Sequence, residues 1–104
     1  MQTLDLVPRL VPEVLSGEKR STIRWREPRI LLGPLRFTSA EPPLETVVEV
    51  SRVTEMPLRD AAAFLGRQSD WSDDVMLAGM REHYPAITLD AVVQVVEFHT
   101  PPRP

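Results

Sequence analysis

Eleven prolines among 104 residues set the scale of every element this chain can form. A proline fixes its own φ at about −65° and has no N–H to give to a helix or a ladder. A chain interrupted so often is built from short pieces. Short pieces suit a small barrel of strands better than a parallel sheet or a helix bundle. Thr3–Val7 reads as a short strand that Pro8 closes. Val11–Ser16 reads as a short helix, with Pro12 in its first turn and Gly17 as its C-terminal stop. Gly17–Ser21 is then a loop. Thr22–Arg26 alternates as a half-buried strand, with Ile23 and Trp25 on one side and Thr22, Arg24 and Arg26 on the open side, and Pro28 ends it. Gly33-Pro34 is turn chemistry, Leu35–Thr38 is a further strand, and Glu41-Pro42-Pro43 is a loop that cannot join a central ladder. The valine-rich Glu45–Val53 reads as a long strand.

Two helices follow. Leu58, Ala61, Ala62 and Leu65 fall on one helical face, with Gly66 as the stop. Asp70 or Ser72 caps the next helix, Asp73 and Asp74 suit its positive end, and it runs to about His83 before Tyr84-Pro85 breaks it. Ala91–His99 is apolar on both faces in its middle and reads as a central strand. Thr100–Pro104 reads as a frayed tail. At 11.8 kDa two separate cores would each be too small to hold. The expectation is one α+β domain over residues 1–100, with 101–104 as a disordered tail.

Composition narrows the class. The apolar share of 42% and charged share of 26% are ordinary for a soluble globular chain. No apolar run approaches the roughly 20 residues that span a bilayer, and no secretory pattern opens the sequence. There are no cysteines, which excludes disulfide scaffolds, thiolate zinc sites and cysteine nucleophiles. His83 and His99 lack ligand spacing. A cytoplasmic protein without metal, cofactor or membrane partner is expected. With a net charge of −3, any nucleic-acid binding must come from a local patch.

Such a patch is present. Residues 19–36 carry six basic side chains (Lys19, Arg20, Arg24, Arg26, Arg29 and Arg36) against Glu27 alone. They suit phosphate or another anion, or they pair with the acidic second half of the chain. Lys19 is the only lysine beside eleven arginines. An amine can lose its proton and act as base or nucleophile, and a guanidinium effectively cannot.

The chemistry concentrates in Gly17-Glu18-Lys19-Arg20-Ser21-Thr22-Ile23-Arg24. Glycine lets the chain turn sharply out of the helix. Lys19 then lies on the loop, three residues before Thr22, and Thr22 and Arg24 share a strand face. An amine, a hydroxyl and a guanidinium together suit a polar, anionic or heterocyclic ligand. They also suit nucleophilic attack by Thr22, if a neutral Lys19 takes its proton. That requires a lysine pKa well below the ordinary value, a direction in which Arg20 and Arg24 push. The bland reading is an edge strand with solvated charges. Trp25 reads either as core or as a stacking surface for a base. Trp71 reads as a staple on the following helix or as a rim. Met56, Met76 and Met80 read as core filling. Tyr84 packs the helix end or turns its hydroxyl to the site.

The string resembles the G-x-K-x-x-T-x-R signature of the ASCH domain, matched by Gly17, Lys19, Thr22 and Arg24. The short helix before it, the valine-rich strand, the two helices and the Tyr84-Pro85 break before a last strand follow that family's order. The resemblance implies a small PUA-like β-barrel of about five or six short strands, with two to three helices packed around it and a cleft beside the signature. It also implies a role in RNA or modified-nucleoside metabolism. Gly17, Lys19, Thr22, Arg24 and Arg26 are then the ligand-binding candidates. One branch of similar length removes the acetyl group from N(4)-acetylcytidine, with the motif threonine as nucleophile, the lysine as activator and a glutamate ahead of the last helix. Lys19 and Thr22 match the first two, and the glutamate has no clear match; Asp70 is the nearest carboxylate. Two functions therefore stay open: a module that binds RNA or a modified nucleoside, and a small amidohydrolase in which Lys19, Thr22 and Asp70 are catalytic.

Overall fold

A computed structural model of the chain describes residues 2–6, 10–40 and 43–100. Its elements are β1 (Gln2–Asp5), α1 (Val11–Ser16), β2 (Ser21–Arg24), β3 (Gly33–Ala40), β4 (Pro43–Pro57), α2 (Leu58–Phe64), α3 (Asp73–Arg81) and β5 (Val92–His99). The five strands form one sheet in the order β1-β3-β4-β5-β2. β1 runs parallel to β3, with Gln2 opposite Leu35. β3 and β4 are antiparallel, from Gly33 opposite Val50 to Ala40 opposite Pro43. A mixed five-stranded sheet with three helices is the α+β class that the sequence predicts.

The residues gather into two compact units. The first takes the described residues of Met1–Thr22, Arg29–Val53 and Val96–Pro104, and the second takes Ile23–Pro28 and Thr54–Val95. In the first, Phe37 and Phe98 meet edge to face at 5.2 Å between centroids. Val14, Leu35, Val48 and Val96 are fully buried in the same cluster. In the second, Leu58, Ala61 and Ala62 of α2 join Met76 of α3, Ile87, and Val93 and Val95 of β5. Met56 and Met80 fill around this cluster, and Trp71 packs against it. Residues 93–96 are buried in succession and β5 lies between β4 and β2, as a central strand requires.

Several boundaries differ from expectation. β4 begins at Pro43, earlier than Glu45. A proline is tolerated as the first residue of a strand, so it ends the loop without breaking the ladder; Glu41 and Pro42 lie outside the described residues. β4 also continues to Pro57, the N-cap of α2, which has no side-chain cap. Its orphan donors are met by backbone instead: the Leu58 N–H donates to the Ala91 carbonyl at 2.9 Å and the Arg59 N–H to that of Leu89 at 3.1 Å. Of the two candidate caps for α3, Ser72 takes the role, its hydroxyl accepting from the Val75 N–H at 3.3 Å. Thr100, expected in the tail, is tied down: its hydroxyl donates to the Val14 carbonyl at 2.8 Å. Residues 101–104 lie outside the described residues. No helix among the described residues is long and apolar enough to cross a membrane.

Candidate functional site

Gly17, Lys19 and Thr22 belong to the first unit. Gly17 closes α1 in the left-handed region at φ 85°, its N–H donating to the Val14 carbonyl at 3.2 Å. Nothing lies within 4 Å of where a Cβ would stand, so the requirement is on backbone angle and not on space. Alanine at Gly17 is therefore expected to lower the unfolding free energy by about 1–2 kcal/mol, and asparagine by less. Urea denaturation of the two variants measures the difference. Beyond the cap the loop folds back on the helix: the Lys19 N–H donates to the Glu13 carbonyl at 3.0 Å, and the Arg20 carbonyl accepts from the Phe98 N–H at 2.9 Å. The Lys19 backbone is thereby fixed on both sides, and its side chain is half-buried. Thr22 departs from expectation. Strand alternation puts it on the open face, yet it is only 8% exposed. Within β2 it is Thr22, on the side that a two-residue alternation marks as polar, that is buried, while Ile23 and Arg24 are half-buried, and none of Lys19, Thr22 and Arg24 is without a partner.

Arg24 to Pro28 belong to the second unit. β2 stops at Arg24, and Trp25-Arg26 form a bend, which corrects the expected strand through Arg26. Arg26 has φ 57°, the left-handed region that arginine rarely adopts. Strand alternation with Thr22 and Arg24 therefore does not reach it. Its guanidinium lies instead over the Trp25 ring, 4.0 Å from the centroid. Trp25 in turn meets Tyr84 edge to face, with centroids 5.9 Å apart and planes at 88°. The Tyr84 hydroxyl donates to Glu27 Oε1 at 3.0 Å. Burial pushes the Tyr84 phenol above its ordinary pKa and the Glu27 carboxylate adds to the rise, while a backbone hydrogen bond from Trp25 and the Arg24 cation oppose it. Gln94, buried in β5, closes the arrangement: its Nε2 donates to the carbonyls of Glu27 at 3.3 Å and Pro28 at 3.2 Å.

Asp70 lies between α2 and α3 in a tight local turn. Its N–H donates to the Arg67 carbonyl at 3.0 Å, and its carboxylate accepts from Arg67 Nε at 3.0 Å. The side chain is 60% exposed, and Arg67 also covers Trp71 at 4.9 Å. This is a surface ion pair of small energetic weight. The residues that sequence reasoning passed over are Glu27 and Gln94. Both left a trace: Glu27 is the single acid in a strongly basic stretch, and Gln94 is the single polar residue inside Val92-Val93-Gln94-Val95-Val96.

No protein-family model matches the chain, and no curated protein does. Solved structures do. Two mutant forms of ZmASCH from Zymomonas mobilis each match at TM-score 0.68 and 17% identity over 98% of this chain, spanning 70% and 72% of theirs. A protein of Enterococcus faecalis, EF3133, described under the family model DUF984, matches at TM-score 0.70 and 15% identity over 95% of this chain and 79% of its own. At these identities the likeness establishes an ASCH-like fold.

Proposed function

We propose that the segment Gly17–Arg26 binds RNA or a modified nucleoside, and that the protein acts in RNA metabolism as an ASCH-domain binding module. The observation that carries this reading is the ASCH-like fold found together with the four signature residues, Gly17 as helix stop, Lys19 on the fixed loop, and Thr22 and Arg24 on β2. Lys19, Arg24 and Arg26 supply cations for phosphate or base edges, and Trp25 supplies an aromatic surface. A short single-stranded RNA, titrated by fluorescence anisotropy at two salt concentrations, tests it. Binding is expected to weaken as salt rises, and Lys19→Ala or Arg24→Ala to weaken it further while lowering the salt slope by about 0.7 each. Absence of binding to both the RNA and N(4)-acetylcytidine at low salt would overturn the reading.

A second reading is amide hydrolysis of N(4)-acetylcytidine, favoured by the withdrawal of Thr22 from bulk water. Thr22 would add to the acetyl carbonyl and Lys19 would take its proton and pass it to the departing cytosine amine. Water would then release acetate from the threonine ester. Asp70, bonded to Arg67 on the surface, lends this reading no support as an orienting carboxylate. Release of cytidine, followed by chromatography with Lys19→Arg alongside, separates the two: a binding module tolerates that change, and a hydrolase loses turnover.

A further inference from the structure

The contact between Arg26 and Trp25 is unusual in three ways. The arginine is exposed, its guanidinium carbon lies 4.0 Å from the centre of an indole ring, and its backbone is held in a left-handed conformation. Strain of that kind persists only where the surroundings enforce it, and such residues concentrate at ligand-handling segments. Here the surroundings do enforce it. The carbonyls of the next two residues are clamped by buried Gln94, and the Glu27 carboxylate is held by Tyr84. Trp25 rests its neighbourhood on Tyr84 and on the cluster of the second unit, so the indole is fixed from behind. Over the ring lies Arg26, a long and exposed side chain.

We propose that Arg26 and Trp25 form a slot for a planar heterocycle, an unpaired base that enters between guanidinium and indole and stacks on both. The inference rests on the nucleic-acid reading above and deepens it: this pair holds the base and not the phosphate. Indole and guanidinium planes both stack on the π-face that every base presents. An exposed cation–π contact is weak, so the lid it makes opens readily. An arginine needed only for phosphate has no reason to lie on a ring. The slot accepts any base and depends little on salt, in contrast to Lys19 and Arg24.

The test uses a uridine oligonucleotide and an abasic oligomer of the same length and charge, in a Trp71→Phe background where Trp25 is the sole tryptophan. The uridine oligomer is expected to bind more tightly and to quench Trp25 fluorescence; the abasic one binds without quenching. Trp25→Leu is expected to weaken the uridine oligomer about 5- to 100-fold and leave the abasic one unchanged. Arg26→Asn keeps a residue that tolerates the left-handed backbone and lacks the guanidinium, so it tests the slot even if Trp25→Leu fails to fold. It is expected to narrow the gap between the two oligomers. Equal binding and equal quenching by both oligomers, or an unchanged gap in Arg26→Asn, would overturn the slot and leave RNA binding standing. Failure of both oligomers to bind at low salt would overturn the binding reading and the slot with it.

Discussion

Leucine in place of Gln94 is expected to lower the unfolding free energy by about 2–4 kcal/mol. The two side chains are close in size, so the change opens little cavity. Among what it removes is a pair of hydrogen bonds, to the carbonyls of Glu27 at 3.3 Å and Pro28 at 3.2 Å. Each stranded carbonyl carries a desolvation penalty of about 1–3 kcal/mol when no water replaces the lost donor. Pro28 is exposed and Glu27 half-buried, so water recovers part of that, which sets the range below the simple sum. Against a total stability of about 5–15 kcal/mol for a small domain the loss is large. Glutamate at the same place is a sharper probe. Its carboxylate would face two carbonyl oxygens, and only the protonated acid could donate to one of them. Its pKa is then raised in the folded state, so the variant gains stability as pH falls through that raised value, in the opposite sense to an ordinary ion-paired carboxylate. Urea denaturation of Gln94→Leu and Gln94→Glu at acid and neutral pH measures both effects. Equal stability of leucine and glutamine at position 94 would show that the clamp carries no weight.

Gln94 also shows where sequence reasoning reaches and where it stops. α1 and its glycine stop were legible because proline, helix and glycine follow one another within seven residues, Val11 to Gly17, and each constrains its own backbone. The central position of β5 was legible from its apolar run. The end of β2 was not. Five alternating residues fit a strand as well as they fit a strand of four followed by a bend, and no glycine or asparagine announces the left-handed turn at Arg26. That turn is enforced from β5, about seventy residues further along, a tertiary effect that local propensity does not contain. The burial of Thr22 escaped for a related reason. Alternation says which residues share a face and not which face is covered. Asp70 stands out in the sequence as the nearest carboxylate to the expected glutamate, whereas its pairing with Arg67, three residues earlier, is visible in the spacing. Glu27 was read as one minus sign in a charge tally, and its bond to Tyr84 spans 57 positions.

The Tyr84–Glu27 bond is expected to show itself twice. Near neutral pH, Tyr84→Phe should lower stability by about 1–2 kcal/mol, below the full range for a bond to a charged acceptor because Glu27 is partly exposed. The Trp25 edge contact survives in phenylalanine, so the loss belongs to the hydroxyl. At alkaline pH the two proteins should converge. Burial, and then the neighbouring Glu27 carboxylate, hold the folded-state pKa of Tyr84 above its ordinary value of about 10. Below that pH both states keep the proton and this group gives stability no pH dependence. Above it the unfolded chain releases the proton while the folded chain retains it, so the native state binds more protons and stability falls as pH rises. The fall continues until the raised folded-state value is passed. Tyr84 is the only tyrosine in the chain, so phenylalanine removes the whole of this contribution, and phenolate absorbance reports on one residue. Denaturation curves of the parent and Tyr84→Phe from neutral to alkaline pH measure the difference, since every other group is common to both. Convergence above about pH 10 is the expected result. A constant gap across that range would mean that Tyr84 ionises alike in both states.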